Sequence, residues 1–144
     1  AAIITANRKA IKQKLESEVK TILDRLGMKN AQLTIEFETL STYSENGLEV
    51  IKFLFTANKG LEKRELSKVA SGGELSRLML AIKSILARKE KMPTIIFDEI
   101  DTGVSGEIAD KVGEILKSMS QELQIISRYT KKMLMVKPIH TLRS

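Results

Sequence analysis

The chain has 144 residues, 42% of them hydrophobic and none of them cysteine. That suffices for one compact domain with a core but not for two sizeable ones, and it excludes both a disulfide framework and a thiolate metal site. No apolar run approaches the roughly 18 to 20 residues that a membrane-spanning helix needs, so a soluble chain with no membrane partner is expected. The net charge of +6 is unevenly placed: residues 1–127 hold 19 basic against 18 acidic side chains, and residues 128–144 hold five basic and none acidic. The excess therefore describes a basic tail, and short basic termini are more often solvated than bound to phosphate backbones.

In chain order, a helix is predicted over about Asn7 to Leu26. Ile11, Leu15, Val19, Ile22, Leu23 and Leu26 recur at spacings of three and four, and Gly27 is a suitable C-terminal stop. Both one strand of a coiled coil and an ordinary amphipathic helix fit so short a pattern. Leu33, Ile35 and Phe37 then alternate with polar neighbours, as do Ile51, Phe53 and Phe55. The polar stretch Ser41 to Gly47 lies between them, so the two segments are predicted to form an antiparallel pair closed at Asn58-Lys59-Gly60.

After a charged connector from Leu61 to Lys68, a helix is predicted to start at Ser71 with Leu75, Leu78, Met79, Ile82, Ile85 and Leu86 on one stripe. Pro93 precedes the short apolar run Thr94 to Phe97, of the kind found where a parallel strand is buried on both faces. Ser105 and Gly106 open a further helix with Ile108, Val112, Ile115, Leu116 and Met119 inward, followed by the apolar run Leu123 to Ile126. Strand, helix, strand implies a crossover onto a parallel neighbour.

Two short motifs carry the chemistry. Ser71-Gly72-Gly73-Glu74 has the form of a capping box, in which the serine oxygen accepts from a first-turn amide and the glutamate reaches back to the cap. A cap does not call for Gly72 and Gly73, each of which costs up to about 1 kcal/mol against alanine within a helix. Two glycines there let another surface approach the free amides and the positive end of the dipole, which is how such an end binds phosphate. Asp98 and Glu99 emerge from the apolar run, at the usual ligand-binding edge of an open α/β sheet. One carboxylate in that place suits hydrated Mg²⁺, and a second can orient or deprotonate a water. An acidic strand cap without a ligand is the plain alternative for an isolated Asp-Glu pair. Asp101 to Gly106 extends the pair into a small, bendable loop. No Gly-x-x-x-x-Gly-Lys-Ser/Thr phosphate loop occurs in the chain.

Jointly these residues resemble the ABC-type ATPase heads, in which a signature motif precedes a Walker B strand and a D-loop. Val69 to Arg77, Ile96 to Gly106 and Phe53 to Gly60 are most similar to the RecN family of SMC-related bacterial DNA repair proteins, over the chain from the first helix to about Ser127. The resemblance implies an α/β fold, the C-terminal lobe of an ABC/SMC-type P-loop ATPase head. It implies three segments: residues 1–27 as the base of a coiled-coil arm, 28–127 as the lobe, and 128–144 as a divergent basic tail. It further implies that Ser71, Gly72, Gly73 and Glu74 face the ATP of a second head, that Asp98 supports Mg²⁺, and that Glu99 polarises the attacking water. Asp101, Thr102 and Gly103 would communicate across the dimer. Implied partners are an N-terminal lobe of the same protein carrying the phosphate loop, a second identical head, and DNA, in the cytoplasm of a bacterium at the nucleoid. Without the phosphate loop, a C-terminal part of a longer polypeptide is expected, inactive as an ATPase by itself.

The likeness stops at Ser127. Family members continue with a strand end bearing a switch histidine, whereas this chain reads Arg128-Tyr129-Thr130-Lys131-Lys132, and its sole histidine, His140, stands elsewhere. A changed reading frame or an artificial junction at this point is the expectation. A chromosome-structural SMC head and a transporter ATPase subunit would share the mechanism; the coiled-coil-like helix disfavours the transporter. A non-catalytic scaffold domain is the reading from a different class.

Overall fold

A computed structural model describes residues 2–45, 47–69, 72–90, 92–98, 100 and 106–128. Helix α1 spans Ala2–Arg25, beginning earlier than the apolar spacing predicts, because the preceding residues continue the helix without burying their apolar side chains: Ile3 and Ile4 are exposed. The helix ends in a Schellman turn. Gly27 adopts φ +78°, and the N–H of Met28 donates to the carbonyl of Leu23 at 2.9 Å while both side chains are buried.

Strands β1 (Gln32–Ser44) and β2 (Gly47–Thr56) pair antiparallel, with Leu33 opposite Phe55, Ile35 opposite Phe53 and Phe37 opposite Ile51. The alternating apolar residues of the two strands thus share one face. The turn is tighter than the polar stretch suggests: Ser41 to Ser44 stay in the strand, Ser44 pairs with Gly47, and its hydroxyl donates to the Gly47 carbonyl at 2.8 Å. The irregularity between Thr39 and Ser44 absorbs the extra residues. Within the charged connector a two-residue strand β3 (Arg64–Glu65) joins the far side of β2, giving the order β1-β2-β3, and a single 3-10 turn follows at Leu66–Lys68. Two residues carry too little pattern to be read as a strand beforehand.

Helix α2 covers Gly72–Glu90. Its buried face is broader than the expected stripe and displaced from it, running through Leu78, Ala81, Ser84 and Ile85 with Leu80 and Ala87 alongside, whereas Met79 and Leu86 are exposed. The small residues Ala81, Ser84 and Ala87 are buried with the larger ones, and a stripe drawn through the large apolar side chains passes over them. Strand β4 (Thr94–Asp98), helix α3 (Gly106–Met119) and strand β5 (Gln124–Arg128) follow. β4 and β5 are parallel and in register, Ile95 beside Ile125 and Ile96 beside Ile126, so the crossover stands as expected. Burial of β4 on both faces does not: Ile95 and Phe97 are buried but Ile96 is 65% exposed, because no described element covers its side of the pair.

Two compact units result. The first joins α1, up to Asp24, to the sheet β1-β2-β3, with Val19, Leu23, Leu33, Ile35 and Phe55 in its core. The second comprises Arg25–Gly27, α2, β4, α3 and β5, around Leu78, Ile85, Phe97, Val112 and Leu116. Gly27 lies against α3 in this unit: a Cβ there would stand 2.9 Å from Cδ1 of Ile108.

Candidate functional site

Both chemical motifs lie in the second unit. Helix α2 begins at Gly72, which is exposed, and a Cβ built there would meet nothing within 4 Å. Among the described residues, internal packing therefore gives no reason for a glycine at this point, and Gly72 itself is left open to an approaching surface. Gly73 and Glu74 follow, half-buried, and Glu74 places a carboxylate in the first turn, where the helix dipole favours it. Ser71 lies outside the described residues, so the capping box is represented here by its glutamate alone.

The other motif ends strand β4. Asp98 is the last residue of the strand, exposed, and paired in register with Arg128 of β5. The pairing sets Asp98 at the carboxyl edge of a parallel pair, where a side chain can reach a ligand outside the strand ends. Glu99, Asp101, Thr102, Gly103 and Ser105 lie outside the described residues, as does His140. Among the described residues no three His, Asp or Glu side chains gather as a metal cluster. A single exposed carboxylate nevertheless fits Mg²⁺, an oxygen-seeking ion that retains most of its waters and commonly takes one or two protein carboxylates.

One link between the motif-bearing elements escapes the motif reading. Lys83, on α2, sends its ammonium to the backbone carbonyl of Ile96 in β4 at 3.4 Å, and the same Nζ stands 5.0 Å from the centroid of the Phe97 ring. The sequence does carry a signal for it: Lys83 is the single charge between Arg77 and Arg88, in an otherwise largely apolar run. Arg77, inside the resemblance motif, has its Nε buried without a hydrogen-bond partner among the described residues.

No protein-family model matches the chain. It is 43% identical over 123 residues to the DNA repair protein RecN of Rickettsia prowazekii, covering 85% of this chain and 22% of that protein. It is 38% identical over 127 residues to the DNA repair protein RecN of Haemophilus influenzae, covering 88% of this chain and 23% of that protein. The chain thus spans less than a quarter of the length of these curated relatives. Among solved structures, the Smc head domain with a coiled coil and joint from Pyrococcus yayanosii superposes with a TM-score of 0.64 at 18% identity, over 93% of this chain and 26% of that one. At that identity the likeness concerns the fold, which is that of part of an SMC head. None of the described helices is long and apolar enough to cross a membrane.

Proposed function

From a chain that is RecN-like in sequence and SMC-head-like in fold, we propose one half of a nucleotide machine: the lobe that supplies the signature motif, the Walker B strand and the D-loop to an ATP-hydrolysing head in DNA double-strand break repair. The observation that carries this reading is the presence, in one compact unit, of an exposed Gly72 at the start of α2 and of an exposed carboxylate, Asp98, at the end of parallel strand β4.

The roles divide between two nucleotides. The amides of Ser71, Gly72 and Gly73, at the positive end of α2, bind the terminal phosphate of ATP held by a second head. Asp98 holds Mg²⁺ for the nucleotide of its own head, and the ion when bound neutralises phosphate charge. Glu99 orients the attacking water and takes its proton. Asp101, Thr102 and Gly103 are assigned to communication across the dimer. The phosphate loop comes from an N-terminal lobe of the same polypeptide, and α1 is the base of an arm whose exposed Ile4 and Ile11, seven residues apart, await a partner helix. The three segments 1–27, 28–127 and 128–144 are then arm base, lobe and tail. DNA is the substrate of the whole protein, in the bacterial cytoplasm at the nucleoid.

The open side of β4 and β5 supports the need for a further lobe, since parallel strands are normally covered on both faces. The test is ATP hydrolysis by a full-length polypeptide carrying this chain. Glu99→Gln is expected to lower turnover about 100-fold or more while ATP still binds, and Ser71→Arg to block engagement of two heads. Hydrolysis that survives both changes would remove the proposed site.

A further inference from the structure

We propose that Lys83 is a positioning residue that couples the start of α2 to the end of β4, so that engagement of one head's signature by a partner's nucleotide is felt at the same head's own carboxylates. The inference rests on the roles given above to the two motifs and adds a residue that those motifs do not contain.

Lys83 lies eleven residues beyond Gly72 on the same helix, about three turns from its start. Its ammonium donates to the Ile96 carbonyl at 3.4 Å and stands 5.0 Å above the Phe97 ring. Ile96 precedes Asp98 by two residues, and Phe97 adjoins it. Phe97 is 5% exposed, so its ring is held by the core and gives the cation a fixed seat. The carbonyl and the ring thus hold one cation against consecutive residues of β4. A helix behaves as a rigid rod over three turns, so a small displacement of its phosphate-facing end is delivered to the strand at Lys83 and carried to Asp98 through two peptide units. An apolar side chain would pack there without tying the helix to a carbonyl, which gives a charge in this largely apolar run a specific use.

The test uses a full-length polypeptide carrying this chain, with Lys83→Met, which keeps the stem and removes the charge, and Lys83→Arg, which keeps a cation able to donate and to sit over a ring. Lys83→Met is expected to lower kcat about 2- to 30-fold with the KM for ATP and the melting temperature unchanged, and Lys83→Arg to restore most of the loss. Glu99→Gln is measured alongside. Should it abolish hydrolysis while Lys83→Met turns over normally, the coupling is wrong and the site stands. Should Glu99→Gln itself hydrolyse normally, the underlying site reading fails. A loss in Lys83→Met that comes with a lowered melting temperature, or that Lys83→Arg does not repair, makes the residue a packing element and overturns the proposal.

Discussion

The backbone N–H of Ile35 donates to Oε1 of Glu16 at 2.7 Å, so a carboxylate of the first helix satisfies a donor on the edge strand of the antiparallel sheet. Edge strands present unpaired amides that invite pairing with other chains, and here α1 covers one of them. Glu16→Ala leaves the buried amide of Ile35 without its acceptor, at an expected cost of about 1–3 kcal/mol. Glu16→Gln keeps a carbonyl oxygen in place and should lose less. Hydrogen exchange at the Ile35 amide measures this directly, and an exchange rate unaltered by Glu16→Ala would count against the contact.

Lys9 reaches Glu49 at 3.5 Å, and Oε2 of that buried carboxylate has no further partner among the described residues. Removing the lysine leaves a charge in the core, whereas removing both charges does not. Lys9→Met is expected to destabilise the chain by about 1–2 kcal/mol, less than for a fully buried pair because Lys9 itself is largely in water. Adding Glu49→Leu should recover most of that loss. Urea denaturation of the single and double variants checks the order; a double variant less stable than Lys9→Met would refute it.

Gly27 combines a positive φ of +78° with the close approach of Ile108. Alanine there incurs the left-handed penalty of about 1–2 kcal/mol and pushes on Cδ1 of Ile108. Since the side-chain tip can move and the torsion cannot, Gly27→Ala should remain destabilising when Ile108→Ala is added to it. Thermal melting of the pair provides the comparison, and a double variant no less stable than Ile108→Ala alone would show that the contact was the whole effect.

On the outer side of the sheet, Lys52 pairs with Glu38 at 2.5 Å. The hydrogen bond and charge of Glu38, with smaller help from Glu65 and Glu36, raise its pKa above 10.5. For a base whose folded pKa is raised, the contribution is fully present below the unfolded value and is lost as pH climbs through the folded one. The pair is therefore intact at neutral pH and weakens only in strong alkali. An NMR titration should find Lys52 titrating above 10.5 and moving down in Glu38→Gln; no movement would remove Glu38 as the cause.

Ile96 is 65% and Ile126 is 45% exposed, side by side on one face of a two-stranded parallel pair. Isolated from any covering lobe, the chain is expected to self-associate as concentration rises. Ile96→Thr, which keeps a β-branched residue in the strand, should reduce that association without unfolding β4. Light scattering across a wide concentration range tests both statements, and a monomer throughout would reject the first.

The legibility of this fold follows from how local its causes are. The alternation of Leu33, Ile35 and Phe37, and of Ile51, Phe53 and Phe55, fixes which side chains share a face, since a slip by one residue would turn each to the other face; the pairing of Leu33 with Phe55 and Ile35 with Phe53 is what the structure adds. Gly27 stops α1 through its own torsion. By contrast, the buried side of α2 includes Ala81, Ser84 and Ala87 beside Leu78, Leu80 and Ile85, and burial of small residues is not announced by a stripe of large apolar ones. Strand β3 is two residues long and exists through its pairing with β2. In the candidate site, Gly72, Gly73, Glu74 and Asp98 are singled out by residue type and spacing, whereas Lys83 stands out in the sequence only as a lone charge, because nothing in a linear run says which carbonyl a long side chain will find.

The sequence by itself determined the order of the longer helices and strands and the antiparallel pairing of β1 with β2, which depend on short-range pattern and on residue chemistry. Only the tertiary structure decided that Ile96 faces outward, that Gly27 lies against Ile108, and that the ammonium of Lys83 sits on β4. Those outcomes turn on which distant segment fills or leaves empty the space beside a side chain, and periodicity along one segment carries no information about that.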